Sequence, residues 1–152
     1  MRILPAEWKR ITPDLGQWFF GYYDIPSFSK DEKYHLAVKV NFMNRMPGFD
    51  DEAEIYAIDL SSGERKLVGK TKAWCFQQSC FAQWIPAKQD TIIYNVRREG
   101  GCGYGAIVKN IVTGEEKLID IIESIEIERA RNKKIMEVKF RFDRLLNRLG
   151  RV

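Results

Sequence analysis

The feature that most constrains this chain is an internal repeat. "IDLSSGERKLV" (residues 58–68) lines up with "KNIVTGEEKLI" (residues 109–119) at an offset of 51. Each string is an apolar strand, a turn closed by Ser-Gly or Thr-Gly, and a charged strand. Glycine tolerates positive φ, so these dipeptides mark tight hairpins. The segments upstream also correspond: "PSFSKDEKYHLAVKV" (26–40) answers "AQWIPAKQDTIIYNV" (82–96). In both, an aromatic precedes a short Lys- and Asp-containing turn and a β-rich strand. The expected strands are 22–28, 34–41, 53–60 and 64–70, then 78–85, 91–98, 105–111 and 115–120.

Four-stranded antiparallel units with a period of roughly 40–50 residues are the pattern of WD40-like β-propeller blades. A plain β-sandwich with coincidental similarity is the competing fold. The expected class is therefore mainly β: two propeller blades, a partial β-propeller, followed by a C-terminal α-helix. The divisions are a lead-in (1–17), two blades (18–71 and 72–120) and a basic tail (121–152). In the tail, Ile135, Val138, Phe142, Leu145, Leu146 and Leu149 share one helical face. Residues 136–142 also alternate as a strand would, but length and Glu/Arg/Lys content favour a helix over 124–149. Its charged face reads as solvated, or as a surface for a membrane or partner.

Charge follows this division. Residues 121–152 hold nine Lys/Arg against five Asp/Glu, whereas residues 1–120 balance at 16 each, so the net charge of +4 lies in the tail. That argues against a nucleic-acid-binding body. No apolar run approaches the roughly 18 residues of a membrane span. The start, "MRILPAEWKRITPD", lacks the apolar stretch of a signal peptide, so the cytoplasm is the expected compartment. Cys75, Cys80 and Cys102 are odd in number and have no zinc-type pair spacing. They read as small buried hydrophobes; a nucleophile would need a base, and His35 is the sole histidine. "EGGCGYG" (99–105) lacks a P-loop lysine and reads as a hairpin loop.

The most unusual local string is "AWCFQQSCFAQWIP" (73–86), which sets Gln77 and Gln78 among aromatics and cysteines. With "FGYYD" (20–24), "FMNRMP" (42–47), "QW" (83–84) and "IIYNVRR" (92–98), it resembles bacterial β-propeller proteins related to oligogalacturonate lyases. The resemblance covers about residues 18–120, in order. It implies a propeller of about seven blades. It also implies cleavage of acidic pectic oligosaccharides by β-elimination, with a divalent metal such as manganese held by histidines and a glutamine. Those ligands do not carry over: His35 matches no ligand position, and no cofactor is expected in this chain.

On this reading Gln77 and Gln78, and Tyr22, Tyr23 and Asp24 in the first unit, lie where the chain enters each innermost strand, facing a central channel. One glutamine is expected to face the channel and the other to satisfy backbone groups; both also fit as hydrogen-bonded turn residues. Arg45 and Arg97, with Asn95 nearby, would pair with sugar carboxylates. Trp74 and the tyrosines would stack on sugar rings. The plainer alternative makes Trp74 inter-blade core and the arginines rim ion pairs. The leading expectation is an N-terminal fragment of a carbohydrate-associated propeller without a complete active site, inactive alone. The blades would be completed by missing sequence, by the tail helix as a cap, or by self-assembly. The alternative is a non-enzymatic interaction module that docks or assembles through the tail.

Overall fold

The computed structural model describes residues 7, 9–22, 25–98 and 103–120. The tail helix expected over 124–149 lies outside them, as do Tyr23, Asp24 and Cys102. The described residues form eight strands: β1 (Gln17–Phe19), β2 (Tyr34–Val40), β3 (Ala53–Asp59), β4 (Arg65–Thr71), β5 (Gln83–Trp84), β6 (Thr91–Arg97), β7 (Tyr104–Asn110) and β8 (Glu116–Asp120). They make two four-stranded antiparallel sheets, ordered β1-β2-β3-β4 and β5-β6-β7-β8.

The repeat holds at the level of atoms. In the first hairpin the backbone N–H groups of Ser61 and Ser62 donate to Asp59 Oδ1 at 2.9 and 3.0 Å. In the second, the N–H groups of Val112 and Thr113 donate to Asn110 Oδ1, both at 2.9 Å. Gly63 and Gly114 close the two turns at φ +74° and +78°, where a Cβ would strain the backbone. Behind each turn, the N–H of Leu60 donates to Lys33 O and that of Ile111 to Asp90 O.

Period-2 alternation decides what each strand buries. Leu36, Val38 and Val40 of β2, Ala53, Ile55 and Ala57 of β3, and Val68 of β4 share one core with Ile92, Tyr94 and Val96 of β6. Trp74, Cys80 and Ala82, from the link between the sheets, and Ile111, from the turn after β7, complete it. Polar contacts also cross between sheets. Thr71 Oγ1 donates to Asn95 O (2.7 Å), Trp84 Nε1 to Ser27 O (2.9 Å) and Lys66 Nζ to Ile111 O (2.5 Å).

The first strand of each sheet differs from expectation. The described residues between 22 and 28 are not in a strand: β1 lies earlier, and Phe28 makes a bridge to His35. Residues 78–85 shrink to the two-residue β5. In the first case the Ile25 N–H donates to Tyr22 O (2.9 Å) rather than to a neighbouring strand. In the second, Ser79 and Phe81 take φ of +56° and +54°, so the chain turns back before it can pair.

Candidate functional site

The loop between β2 and β3 (residues 41–52) carries the first group of expected residues. Arg45 forks onto Asp51, with Nη2 donating to Oδ1 at 2.8 Å, while its guanidinium lies 3.7 Å from the centre of the Phe42 ring. The Gly48 N–H also donates to Asp51, at 2.6 Å. The Arg45 hydrogen bonds, then that of Gly48, hold the Asp51 carboxyl at about 2. Arg45 is thus committed to closing its own loop. Arg97 donates through Nε to Lys72 O at 2.9 Å, and its guanidinium lies 4.3 Å from the Phe49 ring and 5.5 Å from that of Tyr104.

Trp74 is 8% exposed. Its Nε1 donates to Asp51 O at 2.9 Å, and its ring packs on Phe76, Phe42 and Phe19 at 5.1, 5.9 and 6.1 Å. Gln77 is exposed and Gln78 half-buried, on a turn closed by Cys75 N–H to Ser79 O (3.1 Å) and Phe81 N–H to Gln78 O (3.4 Å). The Gln78 N–H donates to Cys75 Sγ at 3.3 Å. Backbone and thiol, not glutamine side chains, make the turn's hydrogen bonds among the described residues. Asn95 ties the turn down through its own backbone: its N–H donates to Cys80 O at 2.8 Å and its carbonyl accepts from Thr71. The loop after β1 reaches the same neighbourhood, since a Cβ on Gly21 would lie 3.7 Å from Ala82 O. Tyr22 is therefore brought toward the 75–82 segment, while Arg45 and Arg97 are engaged at the β2–β3 loop.

Cys80 is fully buried, and burial pushes its thiol up to about 11. That is the opposite of an activated nucleophile. His35 sits on β2 with the rings of Phe28 (4.8 Å) and Phe20 (6.3 Å) edge-on to it, and its Nδ1 is buried without a partner. Burial pushes its pKa down. Among the described residues no three His, Cys, Asp or Glu side chains gather into a metal-binding set. Among the described residues no helix is long and apolar enough to cross a membrane.

The outer face of the first sheet holds a group that the sequence reading did not single out. Strand register aligns Trp18, Lys39, Glu54 and Lys70 in one row across β1 to β4. Lys39 Nζ donates to Glu54 Oε2 (3.1 Å), as does the Tyr56 hydroxyl (3.0 Å). The Lys39 bond, first among several, keeps the Glu54 carboxyl below its ordinary value. The Trp18 and Tyr56 rings lie 5.1 Å apart, and Trp18 Nε1 donates to Leu15 O at 3.0 Å. Pro13, Leu15, Gly16, Trp18, Lys39, Asn41, Tyr56 and Arg65 line an open groove of about 500 Å³. The signal was present in the sequence: Lys39, Glu54 and Tyr56 alternate with buried apolar residues along β2 and β3.

Comparisons with protein-family models, with curated proteins and with solved structures find no match.

Proposed function

We propose that residues 18–120 are two blades of a carbohydrate-associated β-propeller resembling the oligogalacturonate lyases, supplying binding groups rather than a complete catalytic centre. The observation that carries this reading is the packing of two sequential four-stranded sheets, with Trp84 bonded to Ser27 in the link that follows β1 and a Cβ on Gly21 lying 3.7 Å from Ala82 O. That arrangement would bring the loops around Tyr22 and Gln78 to one end of the blades, as a shared channel requires. Titration calorimetry of the purified chain with oligogalacturonate and with an uncharged oligosaccharide of equal length tests it. Binding of the acidic chain alone, without cleavage, supports the reading. Equal binding, or none, removes its carbohydrate part; metal-dependent depolymerisation overturns the claim of an incomplete centre.

A second reading, a non-enzymatic interaction module, is favoured by the apolar side chains that the 41–52 loop exposes: Met43, Met46 (75% exposed) and Phe49. Sedimentation at rising concentration, with and without Met46→Ser, tests self-assembly through that loop.

A further inference from the structure

We infer that the groove on the outer face of the first sheet is a binding site for a small ring compound bearing a carboxylate. Its floor is aromatic: the Trp18 and Tyr56 rings lie 5.1 Å apart and tilted 57° to one another, so the face of one of them can take the flat side of a ring while the other lies against its edge. Both are held in place from behind. Trp18 is tied by its indole N–H to Leu15 O, and Tyr56 by its hydroxyl to Glu54. The groove wall is close-fitting, since a Cβ on Gly16 (φ +92°) would lie 3.0 Å from Lys39 Cε and 3.3 Å from Trp18 Nε1. Its volume of about 500 Å³ lies within the roughly 300–1,000 Å³ of small-molecule sites.

The charges in this groove decide the ligand's sign. Lys39 is neutralised by Glu54, which also takes the Tyr56 hydroxyl. Arg65 is exposed at the start of β4, and its side chain makes no hydrogen bond or ion pair among the described residues, yet it lines the groove. Register places it opposite Ile58, two positions along β3 from Tyr56 and on the same face. A ring lying on Trp18 and Tyr56 therefore meets one unspent guanidinium, whose planar fork suits a carboxylate. A uronate sugar and an aromatic acid both have this chemistry. The site is separate from the loops around Tyr22 and Gln78 and depends on the carbohydrate reading only for one of its two probes.

The test is a nitrogen-15 NMR titration of the full chain with galacturonate, galactose and benzoate, following the Trp18 indole signal assigned through Trp18→Phe. Saturable shifts with one or both acids, and much weaker ones with galactose, are expected. Arg65→Gln should weaken acid binding about tenfold or more while leaving the rest of the spectrum in place, and Arg65→Lys should weaken it less. Galacturonate binding identifies a sugar acid as the source; benzoate alone identifies an aromatic acid, so the groove stands and the carbohydrate reading gains nothing from it. The inference is overturned if neither acid shifts Trp18, if galactose binds equally, or if Arg65→Gln binds as tightly as the parent. Shifts by galacturonate confined to residues 75–82 would sink the groove and leave the carbohydrate reading intact.

Discussion

At the residue scale, the two hairpins perform the same task with different chemistry. Asp59 and Asn110 each accept two turn N–H groups through one oxygen, but only Asp59 titrates. The Ser61 hydroxyl, then the Ser62 N–H, hold the Asp59 carboxyl at about 2 against an ordinary 3.8. A depressed carboxylate contributes its stability above the unfolded value and loses it as pH falls through the folded one. Asp59→Asn should therefore keep the turn, as Asn110 does. The stability gap between parent and variant should narrow between 3.8 and about 2 in urea titrations; a gap unchanged across that window would show that the carboxylate charge is immaterial. Gly69 answers to packing instead. A Cβ there would lie 2.7 Å from Cζ and the hydroxyl of Tyr94, whose ring is buried in the core. Gly69→Ala should cost about 1–3 kcal/mol by overpacking, and much less in a Tyr94→Leu background. A double-mutant cycle by chemical denaturation measures that coupling.

At the scale of elements, the hairpins were legible in the sequence because their signals are local. Ser-Gly and Thr-Gly turns fix positive φ at Gly63 and Gly114, and alternation on either side fixes the strands, so β2 to β4 and β6 to β8 fall within a residue or two of expectation. The first strands were not legible. "FGYYDIPSF" and "WCFQQSCF" are rich in β-formers, but positive φ at Ser79 and Phe81, which side-chain type does not announce, turns the second out of the sheet. The same limit applies to the candidate site. Sequence can mark Trp74 and Arg45 as chemically capable; it cannot show that Trp74 is spent on Asp51 and three phenylalanines, or Arg45 on Asp51. Trp74 should therefore behave as an anchor between elements. Trp74→Ala should destabilise by about 3–5 kcal/mol, with Trp74→Phe retaining most of the ring packing and losing the bond to Asp51. Thermal or urea unfolding of the pair decides this. A stable Trp74→Ala would show that the ring contributes little to the core.

At the scale of the whole molecule, the question is whether two sheets of similar design fold as two units or as one. Their fully buried centres, Ile55 in the first and Ile92 in the second, belong to one cluster rather than two. Thr71, Trp84 and Lys66 each donate from one half of the body to a backbone carbonyl of the other. Separating the sheets would strip water-free partners from Trp74, Tyr94 and Cys80 together, so neither sheet has a complete core alone. A single cooperative transition follows. Ile55→Val, which removes one methyl group and should cost about 0.5–1.5 kcal/mol, ought to lower amide protection in β6 as much as in β2 when native-state hydrogen exchange is read at the slowest amides. Protection lost only in β1 to β4 would mean that the first sheet opens without the second. The bonds between the sheets would then be contacts between independent units, and the repeat would be the unit of stability as well as of sequence.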